Sequence, residues 1–224
     1  MNEQLSSLQQ QAEQGDAKAQ YNLGLAYCHG QGVPQNHAEA VKWWLKAAEQ
    51  GLAAAQCNLG FMYADGLGVA QSYEKAVEWL QKAADQDVAV AQYNLANMYY
   101  TGEGVTQNHA KAFDLCRKAA RQGDSSAQFM LGLMYSKEQG DLKGLSSFAK
   151  AVEWMQKAVE QGHPKAINWF KITAEAGLPD AQFYLSIMYA KGLGVPQSNE
   201  KALEWGRKAA AQGHAMAKRV LGEM

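Results

Sequence analysis

The segment AQYNLGLAYCHGQGVPQNHAEAVKWWLKAAEQG, residues 19–51, returns in altered form at Ala55, Ala91, Ala127 and Ala181. Each copy is an apolar helical pattern, a Gly-rich turn and a second helical pattern, here termed the A helix, the loop and the B helix. A recurring unit of this size marks an array in which each repeat buries its apolar face against its neighbours. The spacing predicts an all-α solenoid of about thirteen helices rather than a globule with a single core. The units are a capping helix at 1–15, repeats at 16–51, 52–87, 88–123 and 124–162, a half-repeat at 163–177, a fifth repeat at 178–213 and a capping helix at 214–224.

Within each A helix one face is held nearly constant. Ala19, Leu23, Ala26 and Tyr27 fall at i, i+4, i+7 and i+8, with Leu again at 59, 95, 131 and 185 and Tyr at 63, 99, 135 and 189. The position after that leucine is always small: Gly24, Gly60, Ala96, Gly132 and Ser186. Glycine inside a helix costs ~1 kcal/mol, so its reuse predicts a close helix crossing. The B helices open on Asn36, Ser72, Asn108, Ser147 and Ser198, residues that cap free backbone N–H groups. Ala40, Val41, Trp44, Ala47 and Ala48 form the apolar face of the first B helix, and all six Trp lie in B-type helices. Gly51, Gly123, Gly162, Gly177 and Gly213 close the units as left-handed residues do after a helix. Asp87 takes that place once, being among the residues that tolerate the conformation. The G-x-G-V loops, such as Gly30-Gln31-Gly32-Val33, follow helices. A phosphate-binding loop needs a preceding strand and a helix opening at the glycines, so they read as turns.

The pattern AQYNLG-x-x-Y-x-x-G-x-G-V-x-Q-x-x-x-KA-x-x-W-x-x-KAAEQG resembles the Sel-one-like repeat (SLR), a relative of the tetratricopeptide repeat (TPR). The resemblance covers nearly the whole chain. It implies a right-handed α/α superhelix that holds proteins together. Cysteine-rich members of that family carry a Cys pair in each repeat. Here Cys28, Cys57 and Cys116 occupy different repeat positions, and they read as small buried hydrophobes.

The fourth repeat breaks the period. Its loop, SKEQGDLKGLSSFAKA, is longer and carries Glu138 where the first loop glycine is expected. After Gly162, HPKA begins as an A helix does, yet INWFKITAEAG at 167–177 matches the end of a B helix. Most of an A helix and its loop is therefore missing. Antiparallel alternation predicts that Pro164–Ala176 enters an A slot and pushes the next A-type helix into a B slot. The expected division is into blocks 1–162 and 163–224.

A formal charge of −1 removes the electrostatic case for nucleic acid. No run reaches the ~18 apolar residues of a membrane helix, so no membrane insertion is expected. The start MNEQLSSLQQ lacks signal-peptide character. A cytoplasmic location is the expectation; if a signal sequence has been removed, the alternative is a periplasmic, secreted or surface-exposed repeat protein that engages a host or envelope component. No catalytic or metal site is visible, and no cofactor is expected. His37 and His109 are two repeats apart, roughly 20 Å at helix packing distances. Cys28 and His29 are helix neighbours and do not face each other. Glu49, Asp85 and Glu160 read as solvated. A hydrolase-like, β-lactamase-type activity, as suggested for cysteine-rich relatives, would need converging groups, and none is apparent.

The variable stripe of the A helices, opposite the constant face, is the candidate site. It comprises Asn22, Leu25 and His29; Asn58, Phe61 and Asp65; Asn94, Asn97 and Thr101; Met130 and Leu133; Tyr184 and Ile187. By resemblance to the TPR fold this stripe lines a concave groove in which Asn side chains hold an extended peptide. The expected function is a scaffold or adaptor binding a protein or peptide, without catalysis. The alternative is that Asn22, Asn58 and Asn94 bond between adjacent A helices and that the apolar row packs there.

Overall fold

The computed structural model describes residues 3–137 and 144–222. Its described residues form thirteen helices: α1 (Glu3–Glu13), α2 (Ala17–His29), α3 (His37–Glu49), α4 (Ala53–Asp65), α5 (Tyr73–Ala84), α6 (Ala89–Thr101), α7 (His109–Arg121), α8 (Ser125–Lys137), α9 (Gly144–Glu160), α10 (Pro164–Glu175), α11 (Pro179–Lys191), α12 (Asn199–Ala211) and α13 (Ala215–Leu221). The all-α expectation holds. The most extensive packing joins α2 to α3, α4 to α5, α6 to α7, α8 to α9 and α11 to α12, which are the A–B hairpins. Two compact units result, one through Asp124 and one from Ser125. The division thus lies before the fourth repeat rather than at Gly162. Glu138 lies outside the described residues.

Every B-to-A joint is the same left-handed helix stop. The residue closing the B helix has positive φ at Gly15, Gly51, Asp87, Gly123, Gly162, Gly177 and Gly213, with Asp87 at 59°. At each joint the next residue donates its N–H back to the last turn, as Leu52 does to Ala47 O (3.1 Å) and His163 to Ala158 O (3.0 Å). These bonds satisfy carbonyls that a helix end otherwise leaves open. Within each unit the same stop turns the chain into the following A helix.

Within each unit a glutamine network ties an A helix to the B helix before it. Gln20, Gln56, Gln92, Gln128 and Gln182 are buried among apolar residues. Gln20, Gln56 and Gln182 donate from Nε2 to Ala12 O, Ala48 O and Ala174 O of the preceding B helix, each at 3.1 Å. Each Oε1 accepts from the glutamine ending its own B helix: Gln50, Gln86, Gln122, Gln161 and Gln212, at 2.8–2.9 Å. Gln50, Gln86 and Gln212 also donate to the carbonyl of the previous joint, at Gly15, Gly51 and Gly177. One side-chain pair therefore ties three elements.

The A–B crossing follows volume complementarity. A Cβ on Gly24 would overlap the Trp44 ring, one on Gly60 would sit 2.5 Å from Leu80 Cγ, and one on Gly132 would sit 2.9 Å from Met155 Cγ. Where the A residue grows, the B residue at the matching position shrinks: Ala96 is matched with Cys116 and Ser186 with Gly206. Trp44 adds a hydrogen bond from Nε1 to Tyr21 O at 3.1 Å.

α10 resolves the break by taking both roles. Its start is that of an A helix. His163 caps it by accepting from Ala166 N (3.3 Å), and the imidazole stacks on Phe129 with centroids 4.8 Å apart. His214 does the same at the head of α13, against Phe183 at 4.5 Å. Its end is that of a B helix, since Ala174 O and Gly177 O receive Gln182 and Gln212. Phe170 is fully buried at the Trp44-equivalent position. The expected displacement of the next helix does not occur: α11 keeps the A role, paired with α12. The expected cap at Ser147 is also corrected. α9 begins at Gly144, so Ser147 lies within the helix, whereas Asn36, Ser72, Asn108 and Ser198 each accept the predicted N–H.

Gly60→Ala should destabilise the chain by about 1–3 kcal/mol, as overpacking does, in denaturant unfolding followed by circular dichroism. Adding Leu80→Cys, which recreates the Ala96–Cys116 combination, should recover part of that loss. A double variant no more stable than Gly60→Ala alone would refute the volume-matching account.

Candidate functional site

The two faces of the array are dressed differently. On the B helices the aromatic residues are covered by the chain's own lysines. Lys46 lies 4.0 Å from the Trp43 ring centroid, and Lys82, Lys157 and Lys208 lie 4.1–4.2 Å from Trp79, Trp154 and Trp205. Among the described residues the variable A-helix stripe carries no such repeated cover.

In the first unit the stripe stays largely open. Asn22 and Asn97 are exposed and Asn58 is half-buried. Among the described residues these three side chains make no hydrogen bond. Asn94 is spent locally, donating from Nδ2 to Val90 O one turn back at 2.7 Å. Thr101 donates to Asn97 O (3.1 Å). The bonds between adjacent A helices considered for the asparagines are absent among the described residues. His29 and Asp65 are exposed at the ends of α2 and α4. Leu25 is half-buried and packs against the core cluster of α3 and α4.

Two clefts open along this stretch. One, of about 430 Å³, is lined by Leu5 and Leu8 of α1 and by Asn22 and Leu25 of α2. The other, of about 380 Å³, lies where the end of α4, the start of α5 and the middle of α6 converge, with Phe61, Asp65, Tyr73, Asn94, Asn97 and Glu103 on its walls. Tyr73 and Glu103 were not singled out in the sequence. They stand outside the A helices: Gln71 Nε2 donates to Ala64 O (2.7 Å) and to Tyr73 Oη (3.2 Å), and Gly104, next to Glu103, packs on Tyr73 too closely to carry a Cβ.

In the second unit the chain fills its own stripe. Tyr184 is buried, its ring 4.4 Å from Phe170 of α10 and its hydroxyl 3.4 Å from Gln156 O of α9. Burial, helped by the charge of Glu160, pushes its pKa up to about 12. The cause is the missing hairpin partner: with α10 standing in for two helices, α11 touches α9 directly. Tyr184 is therefore a core residue and not part of an open groove. Leu133 and Ile187 pack against the same cluster, and Met130 is half-buried. Ile187 also borders an apolar cleft of about 510 Å³ between α11, α12 and α13.

Groups that could carry chemistry do not converge. Among the described residues no set of His, Cys, Asp or Glu could hold a metal ion, and no helix is long and apolar enough to cross a membrane. None of the three cysteines is in a disulfide; Cys57 and Cys116 are buried and Cys28 half-buried. Burial pushes the Cys57 thiol up to about 11 and raises that of Cys28. His37 is half-buried rather than exposed, with Nδ1 enclosed and unpaired. His109 is exposed beside Tyr100, ring centroids 5.0 Å apart.

The family model described as Sel1 repeat matches residues 17–52, 53–88, 89–124, 125–163, 164–178 and 179–214. Its short match at 164–178 is α10. A Sel1 repeat protein from Oxalobacter formigenes is 33% identical over 98% of this chain and 58% of its own, with a TM-score of 0.63. The antigen c5321 of uropathogenic Escherichia coli strains, which displays an SLR fold, is 31% identical over 100% of this chain and 59% of its own, at 0.59. This chain thus spans less than two thirds of either. A sel1 repeat protein from Klebsiella pneumoniae subsp. pneumoniae shares the fold at 23% identity and 0.51, over 98% of both chains. No curated protein matches the chain.

The thiols offer a check on the burial. A thiolate-selective alkylating reagent at mildly alkaline pH should label Cys28 first and leave Cys57 unlabelled until denaturant is added, because the thiolate is the reactive form. Equal labelling rates in the folded protein, read by mass spectrometry, would contradict the structure.

Proposed function

This chain belongs to the Sel1 repeat family, and we propose that it binds an extended polypeptide along the A-helix stripe of its first unit. Sel1 repeat proteins act as protein-interaction scaffolds, typically without catalysis. The observation that carries the finer reading is the state of the asparagines. Asn22, Asn58 and Asn97 keep their amide donors and acceptors uncommitted; Asn22 and Asn58 hold equivalent positions on adjacent A helices, near 10 Å apart by helix packing, and Asn97 lies one turn further along the next. Uncommitted amides near clefts with apolar side chains on their walls suit a peptide backbone, whose N–H and C=O groups need partners once water is removed. Leu25 and Phe61 supply apolar contact next to them, and His29, Asp65 and Thr101 form a polar rim. The second unit contributes less, because Tyr184, Leu133 and Ile187 are engaged with its own core.

The test is a partner captured by the wild-type chain and then titrated by calorimetry against surface variants that keep the wild-type helical spectrum. Phe61→Ala combined with Asn97→Ala should weaken binding by about 1–2 kcal/mol, the loss typical of a significant interface residue. Tyr184→Phe, a substitution in the core, should leave it unchanged. Unaltered affinity in the Phe61/Asn97 double variant would remove the stripe from the interface.

A further inference from the structure

The cleft between α4 and α6 has a definite electrostatic character. Its lining includes two carboxylates, Asp65 and Glu103, and no Lys, Arg or His. Both carboxylates are exposed, and neither has an ion pair among the described residues. Glu103 accepts only a weak bond from Thr101 Oγ1 at 3.3 Å. The lysines in the first turns of α5 and α7 are engaged elsewhere: Lys75 lies over the Tyr63 ring at 5.3 Å and Lys111 donates to Tyr99 Oη at 2.6 Å.

Two further features act in the same direction. Asp65 is the last residue of α4, and α6 ends at Thr101 beside Glu103. Helix C-termini carry partial negative charge, where an acidic side chain is unfavourable by a few tenths of a kcal/mol. Asp65 therefore costs the fold a little stability and receives no cation in return. The apolar wall is aromatic, with Phe61 half-buried and Tyr73 36% exposed. Ring faces attract cations, and guanidinium stacks on them while its fork reaches carboxylates.

From these observations we propose that this cleft takes a cationic side chain, arginine above all, from the bound polypeptide. The reading rests on the stripe being the peptide-binding surface, and it adds what the peptide must carry. The ring faces of Phe61 and Tyr73 flank the aliphatic stem and guanidinium, Asp65 and Glu103 meet the charge, and Asn97 holds the adjoining backbone.

A random peptide library displayed on phage, selected against the wild-type chain, tests both levels. Enriched peptides are synthesised and titrated against the wild type, Asp65→Asn/Glu103→Gln, Phe61→Ala and Asn97→Ala. The expected outcome is enrichment of arginine at one position. Replacing that arginine with Gln, or using Asp65→Asn/Glu103→Gln, should each weaken binding roughly tenfold. The two changes together should cost little more than either alone, the sign of a direct pair, and added salt should weaken the wild-type complex. Peptides that need Phe61 and Asn97 but carry no basic residue, or that bind Asp65→Asn/Glu103→Gln unchanged, overturn the cationic pocket and leave the groove standing. Peptides indifferent to Phe61 and Asn97, or no enrichment at all, overturn both.

Discussion

Each repeat depends on a polar side chain placed where burial would ordinarily exclude one. A buried amide left without partners costs about 1–3 kcal/mol, and here five glutamines lie in apolar surroundings. For Gln20, Gln56, Gln92 and Gln182 the cost is offset because Nε2 donates to a carbonyl of the preceding B helix and Oε1 accepts from the amide of a second glutamine. That requirement is directional in a way apolar packing is not. Leucine and alanine faces tolerate a slip along the helix axis. A glutamine that must reach Ala48 O on one side and Gln86 on the other does not. The network therefore sets the register, and the apolar contacts supply most of the driving force.

The same logic explains how a chain can lose a helix without losing the fold. The A and B roles are defined by what each end of a helix offers, and the offers are local. An A helix needs a left-handed joint and a cap at its start. A B helix needs a free carbonyl one turn from its end and a left-handed residue after it. Pro164–Glu175 satisfies the first set with His163 and the second with Ala174 and Gly177. Its apolar residues serve both, since Ala166 and Phe170 occupy buried positions in either register. The cost appears in the exterior: with one helix doing the work of two, Tyr184 fills space that is open in the first unit.

Much of this was legible in the residues. The repeat, the left-handed joints down to Asp87, the small position after each leucine and four of five caps follow from short-range rules, and short-range rules govern arrays. What escaped was non-local. The glutamines recur as conspicuously as the leucines, yet their partners lie in a helix on either side, and no single window contains the pair. Alternation of direction does not fix the role of α10, because the structure obeys the bonding at each helix end. Ser147 follows a longer loop, so its place in the repeat does not locate the start of α9. Of the candidate site, the stripe of the first unit keeps its open character, and that of the second unit is consumed by a contact created by the missing helix. Tyr73 and Glu103 belong to no periodic pattern, so only the folded loop brings them to Phe61 and Asn97.

The uneven distribution of satisfied groups is what connects this architecture to recognition. In the first unit the buried glutamines are paired and the joint carbonyls of Gly15 and Gly51 are taken, while Trp43 and Trp79 lie under lysines. Against that background, the bare Asn22, Asn58 and Asn97 and the carboxylates of Asp65 and Glu103, which have no ion pair among the described residues, are grouped in one unit. Solvated polar groups on a surface need no partner to be tolerated, so exposure alone would carry little weight. Asp65 differs from the other acidic residues that end helices here, such as Glu49 and Glu160, in sharing one cleft with a second carboxylate, Glu103, and with the rings of Phe61 and Tyr73. Two carboxylates beside half-open aromatic rings, with no cation on the cleft wall, are complementary to a partner that brings positive charge.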